Sequence, residues 1–131
     1  MKFLDTTFLI DFLKGNKDAR EKAHELRDQD LATTSQNIFE VLVGIHRKKS
    51  PSSSELDSFE KMLGSINVFD FDIGSSHSAS KIAADLINQG KEIDIIDCLV
   101  AGTVLSKNHD TIVTRDMNHF SRIKEIKVEK Y

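Results

Sequence analysis

Short apolar runs recur along the chain, and the stretches between them carry apolar residues at helical spacing. Five short runs are predicted to be strands. They are residues 3–4, 31–34, 67–71, 111–114 and 126–128. Strands that alternate with helices predict a largely parallel sheet, covered on both faces and joined by right-handed crossovers. The predicted fold class is therefore α/β, with a mainly parallel five-stranded sheet.

Six segments show the helical pattern: residues 8–13, 17–29, 35–45, 55–63, 79–87 and 95–105. Gly15 and Gly90 end the first and the fifth of them. Ser52 and Glu55 match a capping box at the start of the fourth. The sixth is apolar nearly all round, so it should be buried on most sides.

The third helix carries its apolar residues on one line. Ile38, Leu42 and Ile45 recur at helical spacing, and Val41 lies off that line. Ser35 or a neighbouring threonine can cap the helix, because a hydroxyl accepts from a free backbone N–H of the first turn.

Length and composition predict the number of domains and the cellular compartment. A chain of 131 residues with 39% hydrophobic and 30% charged residues is typical of one soluble globular domain, here residues 1–131. No apolar run approaches the ~20 residues of a membrane span, and the start turns acidic too soon for a signal peptide. The single cysteine, Cys98, permits no internal disulfide, so we expect a cytoplasmic protein.

The net charge of −3 argues against nonspecific DNA binding. It does not exclude a nuclease, because a bound metal ion reverses the sign of the charge that a phosphate meets. The basic segment 46–49 could guide RNA phosphates, although a basic group at a helix end more simply complements the helix dipole.

Four acids fall where they can reach one crevice. Asp5 and Asp116 follow apolar strands, and the carboxyl ends of parallel strands face the ligand-binding edge of an α/β sheet. Glu40 and Asp97 lie near the starts of helices that begin on that edge. The pattern predicts a cup of four carboxylates for divalent metal ions.

Each of these acids also has a structural explanation. Acids make up 21 of the 131 residues, and Asp5 or Asp116 could simply cap the following helix or turn. Asp94 and Asp97 stand three apart before an apolar helix, where acids suit the helix dipole. Glu40 is the most informative, because a carboxylate in an apolar helix costs free energy unless it is paired or binds a metal.

The ligand types favour a hard cation. Carboxylate oxygens suit Mg²⁺ or Mn²⁺, whereas the five histidines show no zinc-ligand spacing and one cysteine cannot form a thiolate site. Two such ions held ~4 Å apart could activate water and stabilise the leaving oxygen in phosphodiester hydrolysis.

These motifs together resemble a known family. Residues 4–11, 40–44, 93–101 and 114–116, followed by Phe120, resemble PIN-domain proteins of the VapC-type toxin branch of type II toxin–antitoxin systems, and the match runs the whole chain. The resemblance implies a three-layer α/β/α sandwich and a Mg²⁺- or Mn²⁺-dependent endoribonuclease. It also implies a homodimer, an RNA substrate, and a small VapB-like antitoxin whose tail blocks the active site.

Carried over by position, the resemblance assigns catalytic and metal-binding roles to four acids: Asp5, Glu40, Asp97 and Asp116. Thr6 and Thr114 match hydroxyl positions near the site, and Asp94 matches an acid that only some relatives have.

Two further assignments rest on local spacing. If the sixth helix begins near Ile95, Asp94 caps it, and Asp97 projects from the first turn into the cup with its oxygens free. Arg115, beside Asp116, could hold a phosphate through two hydrogen bonds, or it could be a surface arginine.

Other function classes fit less well. A phosphatase of the haloacid-dehalogenase type would need a second acid where Thr7 stands, and a receiver domain would need paired acids at the first strand. A catalytically silent PIN-like module that binds an antitoxin-like partner is the remaining alternative, and metal-dependent RNA cleavage would separate it from the enzyme.

Overall fold

The structure, a computed structural model, describes residues 1–50 and 53–131. Its strands form one sheet in the order β3-β2-β1-β4-β5, and every pair of neighbours is parallel. The strands are β1 Lys2–Leu4, β2 Leu31–Thr34, β3 Asn67–Phe69, β4 Thr111–Val113 and β5 Lys127–Glu129. The predicted five-stranded parallel sheet is confirmed.

The helices within the described ranges are α1 Thr6–Leu13, α2 Lys17–Glu25, α3 Ser35–His46, α4 Ser53–Leu63, α5 Ile73–Asn88, α6 Ile95–Ser106 and α7 Met117–Phe120. The sequence pattern missed α7, because a single turn is too short to show an apolar period. None of these helices is long and apolar enough to cross a membrane.

Alternation along the central strands divides the core in two. Phe3 and Ile112 pack with residues of α5, α6 and α7. Their strand neighbours Leu4 and Val113 pack with residues of α1, α2, α3 and α4. Because successive strand residues point to opposite faces, the sheet becomes the middle layer of the expected α/β/α sandwich.

The buried face of α3 differs from the predicted one. Val41, predicted to lie off the apolar line, is only 2% exposed. The buried line runs through Asn37, Val41 and Ile45, while Ile38 and Leu42 pack beside it and are partly buried. The helix is rotated this way because the Asn37 side chain reaches hydrogen-bond partners in the interior.

Several boundaries also shifted. Helix α2 ends at Glu25 rather than at residue 29, and β3 ends at Phe69 rather than at residue 71. Helix α5 begins earlier than predicted, because the Asp72 carboxylate accepts a hydrogen bond from the Ser75 N–H at 2.8 Å and caps it. Ile87, predicted on its apolar face, is 56% exposed. The predicted capping residue Ser52 lies outside the described residues.

Helices α5 and α6 cross in close contact at a glycine. A Cβ added to Gly102 would lie 2.5 Å from the Ala79 Cβ and 2.6 Å from its Cα. A separation this small cannot be relieved by a side-chain rotation, because backbone atoms of α5 are involved. Only glycine at residue 102 lets the two helices approach this closely.

We therefore expect Gly102→Ala to destabilise the protein by on the order of 1–3 kcal/mol, since overpacking forces backbone shifts. Gly44→Ala is the matched control in another helix, because a Cβ there would meet no atom within 4 Å. That control should be neutral or stabilising by up to about 1 kcal/mol, as alanine favours a helix over glycine. Urea unfolding of both variants measures the difference, and equal stability would contradict the close crossing.

Candidate functional site

The candidate site lies where the sheet reverses its winding direction. From β1 the chain proceeds to β2 and β3 on one side, whereas β4 and β5 lie on the other. In parallel α/β sheets, ligands bind beyond the carboxyl ends of the strands at such a point. The Asp5 N–H donates to the Val113 carbonyl at 3.0 Å, so the ends of β1 and β4 lie side by side.

Asp5 is the centre of this site and is only 4% exposed. Its Oδ2 accepts hydrogen bonds from the Thr114 hydroxyl at 2.8 Å and the Thr7 hydroxyl at 3.2 Å, and its Oδ1 accepts from the Asn37 amide at 3.1 Å. Burial raises the pKa of the Asp5 carboxyl, and hydrogen bonds from Thr114, Thr6 and Thr7 offset only part of that effect. Although Asp5 precedes α1, its side chain makes no capping hydrogen bond. The capping alternative therefore does not account for Asp5.

Asn37 is a member of the site that the sequence did not suggest. It is fully buried, and its Nδ2 donates to both Asp5 Oδ1 and Thr6 Oγ1 at 3.1 Å. Its Oδ1 accepts from the Thr34 hydroxyl at 2.7 Å, which fixes the direction of the amide. The only available signal was a polar residue on the inward side of an apolar helix.

Glu40 lies next to Asp5 and is joined to it through Thr6. The Thr6 hydroxyl donates to Glu40 Oε2 at 2.5 Å. Burial raises the pKa of the half-buried Glu40 carboxyl, the Thr6 hydrogen bond opposes this, and the nearby negative charges of Asp5 and Asp94 raise it further. The charges of Glu40 and Asp5 therefore influence each other, and the Thr6 hydroxyl fixes the position of the Glu40 carboxylate.

The helix start that was assumed for Asp94 and Asp97 is the one observed, and it makes Asp94 the capping residue. Helix α6 begins at Ile95, and Asp94 Oδ1 caps it by accepting from the Ile96 N–H at 2.9 Å. Asp97 points into the site from the first turn. Burial raises its pKa to about 6, His119 opposes the rise, and the charges of Asp5 and Asp94 add to it.

One detail of the prediction for Asp97 was wrong. Its oxygens were expected to be free, but its Oδ2 lies 2.6 Å from the Nδ1 of His119. The same nitrogen lies 3.5 Å from Asp116 Oδ2. His119 had been considered only as a zinc ligand, and the helix that carries it was missed. Its separation of three residues from Asp116 is the signal that could have identified it.

Asp116 caps the short helix that follows it, as its structural explanation proposed. Its Oδ1 caps α7 by accepting from the Asn118 N–H at 3.1 Å, while its Oδ2 faces His119. One ligand atom from each of Asp97, Asp116 and His119 lies within 4.8 Å of the others. Asp5 and Glu40 are not part of that tighter group.

Arg115 lies between Thr114 and Asp116 in the sequence, and its side chain pairs with Asp11. Its Nη1 lies 2.7 Å from Asp11 Oδ2, and the Tyr131 hydroxyl donates to the same oxygen at 2.9 Å. The Arg115 N–H donates to the Thr7 hydroxyl at 3.1 Å. The Arg115 side chain is 59% exposed, so one end of the guanidinium is anchored while much of the group faces solvent.

The donor set suits a hard divalent cation. Burial or neighbouring negative charge raises the pKa of three of the acids: Asp5, Glu40 and Asp97. Within the described ranges, no lysine or arginine forms an ion pair with them or with Asp116. Negative charge concentrated in this way destabilises the fold unless a cation neutralises it. Mg²⁺ or Mn²⁺ would fit the predominantly oxygen ligands.

Comparison with known proteins identifies the fold. The PIN domain family model matches residues 2–126, whereas no curated protein sequence matches the chain significantly. The structure of VapBC2 from Rickettsia felis, bound to a fragment of promoter DNA, superimposes with a TM-score of 0.88 at 20% identity, covering 99% of this chain and 98% of that one. DNA-bound VapBC from Salmonella typhimurium gives a TM-score of 0.86 at 24% identity, with coverages of 98% and 96%.

A more distant structure is that of VapC20 from Mycobacterium tuberculosis, a toxin that cleaves the sarcin–ricin loop. It gives a TM-score of 0.72 at 14% identity, with coverages of 98% and 99%. At such identities the structural likenesses establish the fold alone. The family model spans nearly the whole chain and agrees with that fold, so the chain belongs to the PIN domain family.

Proposed function

We propose that this protein, a single domain over residues 1–131, is a Mg²⁺- or Mn²⁺-dependent endoribonuclease. We further propose that it acts in the cytoplasm as the toxin of a toxin–antitoxin pair. The observation that carries the proposal is the convergence of acids from four parts of the chain on one crevice, without a lysine or arginine paired to them in the described ranges. An acidic centre of this kind is suited to metal-assisted hydrolysis of a phosphodiester.

In this proposal four acids hold the metal: Asp5, Glu40, Asp97 and Asp116. When bound, the metal would supply an activated water molecule and stabilise the leaving oxygen. The protein itself supplies the preorganisation. Thr7, Thr114 and Asn37 fix the carboxylate of Asp5, and Thr6 fixes that of Glu40. Asp94 caps α6 and adds negative charge without a required contact to the metal.

The Arg115 guanidinium is proposed to bind a phosphate next to the scissile bond. Asp11 holds one side of the group, and the exposed remainder can make charge-assisted hydrogen bonds to phosphate oxygens. Asp11 and Tyr131 then act as positioning residues, because they fix the guanidinium without reaching the substrate themselves.

The choice of RNA and of an antitoxin rests on the likeness to VapBC proteins, among which VapC20 cleaves the sarcin–ricin loop. An acidic crevice is also a natural target for a cationic side chain from an antitoxin tail.

A homodimer is supported by the exposed Ile87 and Ile95, which line an apolar groove between α5 and α6. Size-exclusion chromatography of the chain, alone and with an antitoxin, tests both proposed partners. A chain that elutes as a monomer and does not bind the antitoxin would contradict both proposals.

A catalytically silent module that binds an antitoxin-like partner is the alternative. Binding alone would not require a carboxylate as deeply buried as Asp5, which raises the cost of folding. The deep burial of Asp5 and its three hydrogen-bond donors favour the enzyme.

The first functional prediction separates Asp97 from Asp94. Asp97→Asn should fold and lose RNA cleavage by orders of magnitude, because it removes a metal ligand. Asp94→Asn keeps a capping oxygen and should retain most activity and stability. Cleavage of a labelled RNA by both variants, with and without EDTA, measures the difference. An inactive Asp94→Asn beside an active Asp97→Asn would contradict the assignment, and full cleavage in excess EDTA would contradict metal dependence.

Metal binding should weaken in acid. The pKa of Asp97 is raised to about 6, so its carboxyl becomes protonated as the pH falls through that value, and protons then compete with the metal. From about pH 7.5 to about pH 5 the affinity for Mn²⁺ should fall at least about tenfold, given one proton and this pKa. Calorimetric titration at the two pH values checks this, and Asp97→Asn should show a weaker pH dependence.

The raised pKa of Asp97 also affects the stability of the metal-free protein, which should fall as the pH rises. The contribution of Asp97 to stability is present while its carboxyl is protonated and is lost as the pH rises through about 6. Metal-free Asp97→Asn should therefore melt no lower than the wild type at about pH 7.5, since the neutral amide avoids most of the burial penalty. A large drop in Tm at that pH would show that the His119 contact outweighs that penalty.

The contribution of Arg115 should appear in substrate binding. Arg115→Ala should raise KM about tenfold with a smaller change in kcat, since it removes a charge-assisted hydrogen bond to a ground-state phosphate. Asp11→Asn, which leaves Arg115 in place but weakens its anchor, should give a smaller effect of the same kind. Unchanged kinetics in both variants would identify Arg115 as a surface arginine.

A further inference from the structure

His119 lies inside the acidic crevice rather than at its edge. Its Nδ1 is 2.6 Å from Asp97 Oδ2 and 3.5 Å from Asp116 Oδ2. The two acids come from different elements, α6 and the residue that caps α7. One ring nitrogen therefore faces oxygens from both sides of the crevice.

A proton on Nδ1 cannot serve both oxygens well. It can make a good hydrogen bond at 2.6 Å, but the second oxygen at 3.5 Å lies beyond the usual range for N–H···O. One ligand atom from each of Asp97, Asp116 and His119 lies within 4.8 Å of the other two. A cation between them would satisfy both carboxylates and the nitrogen at once.

The ring is also held in place before any ligand binds. Helix α7 is capped by Asp116, and Phe120, the neighbour of His119, is fully buried. The imidazole itself is partly exposed, with 36% of its side chain open. A fixed donor that still meets solvent is suited to take up an ion from solution.

We propose that His119 Nδ1 is a direct metal ligand beside Asp97 and Asp116, and that it makes this site prefer Mn²⁺ to Mg²⁺. The inference rests on the metal centre of the proposed function and specifies its chemistry. Mg²⁺ is a hard ion that prefers oxygen ligands and retains water. Mn²⁺ shares the preference for carboxylates but, as a first-row transition ion, also accepts an imidazole nitrogen.

The test compares wild-type protein with His119→Gln and His119→Ala in metal-binding experiments that do not depend on cleavage. Mn²⁺ affinity is measured from the electron paramagnetic resonance signal of free Mn²⁺, and Mg²⁺ affinity by competition. We expect both variants to bind Mn²⁺ at least about tenfold more weakly, while Mg²⁺ affinity changes much less. His77→Gln, an exposed histidine of α5, is the matched control and should bind both ions like the wild type.

A spectroscopic signature tests the bond directly. Electron spin echo modulation of bound Mn²⁺ should show a coupled imidazole nitrogen in the wild type and in His77→Gln, but not in the His119 variants. Equal losses for Mn²⁺ and Mg²⁺, or bound Mn²⁺ without nitrogen coupling, would overturn the inference and leave the metal centre standing. If folded wild-type protein bound neither ion, the proposed function itself would fail.

Discussion

The structure depends on the burial of one carboxylate. Asp5 is nearly inaccessible, and donors from three separate parts of the chain converge on it: Thr7 from α1, Asn37 from α3 and Thr114 from the end of β4. A buried charge is tolerated only where such donors surround it. The order of the strands, the rotation of α3 and the start of α1 all have to be correct for these donors to meet. The geometry of the crevice follows from this local requirement.

The same requirement explains why the site opposes folding. Burial raises the pKa values of Asp5, Glu40 and Asp97 above their ordinary range, and repulsion from neighbouring acids adds to the rise for Glu40 and Asp97. A protein selected for stability alone would place apolar or amide groups there, since neutral groups avoid the cost of desolvation. In this site the free-energy cost is confined to a few acidic groups, and the rest of the fold supports them. Such an arrangement is typical of sites that bind a ligand of opposite charge.

The sequence was sufficient to predict which strands and helices surround the site. It was sufficient to predict only some of the side chains that line it. Asp5 and Asp116 were found because parallel strands end at a common edge, and Glu40 because it interrupts an apolar helix. Asn37 was missed, since an asparagine near a helix start also fits an ordinary terminal position. His119 was missed because its contact with Asp97 crosses 22 residues of chain. Its separation of three residues from Asp116 could have indicated it, but spacing along one element cannot reveal the contact with Asp97.

The hydrogen bond between Thr114 and Asp5 joins residues 109 positions apart. During translation β1 is made early, but its neighbour β4 leaves the ribosome only after most of the domain has been synthesised. Until then the crevice lacks Thr114, Asp116 and His119, and β1 has an unpaired edge. Contacts this distant in sequence also form slowly, because a long loop has to close first. For the proposed ribonuclease, an incomplete nascent chain would therefore be harmless to the RNA of the ribosome that is making it.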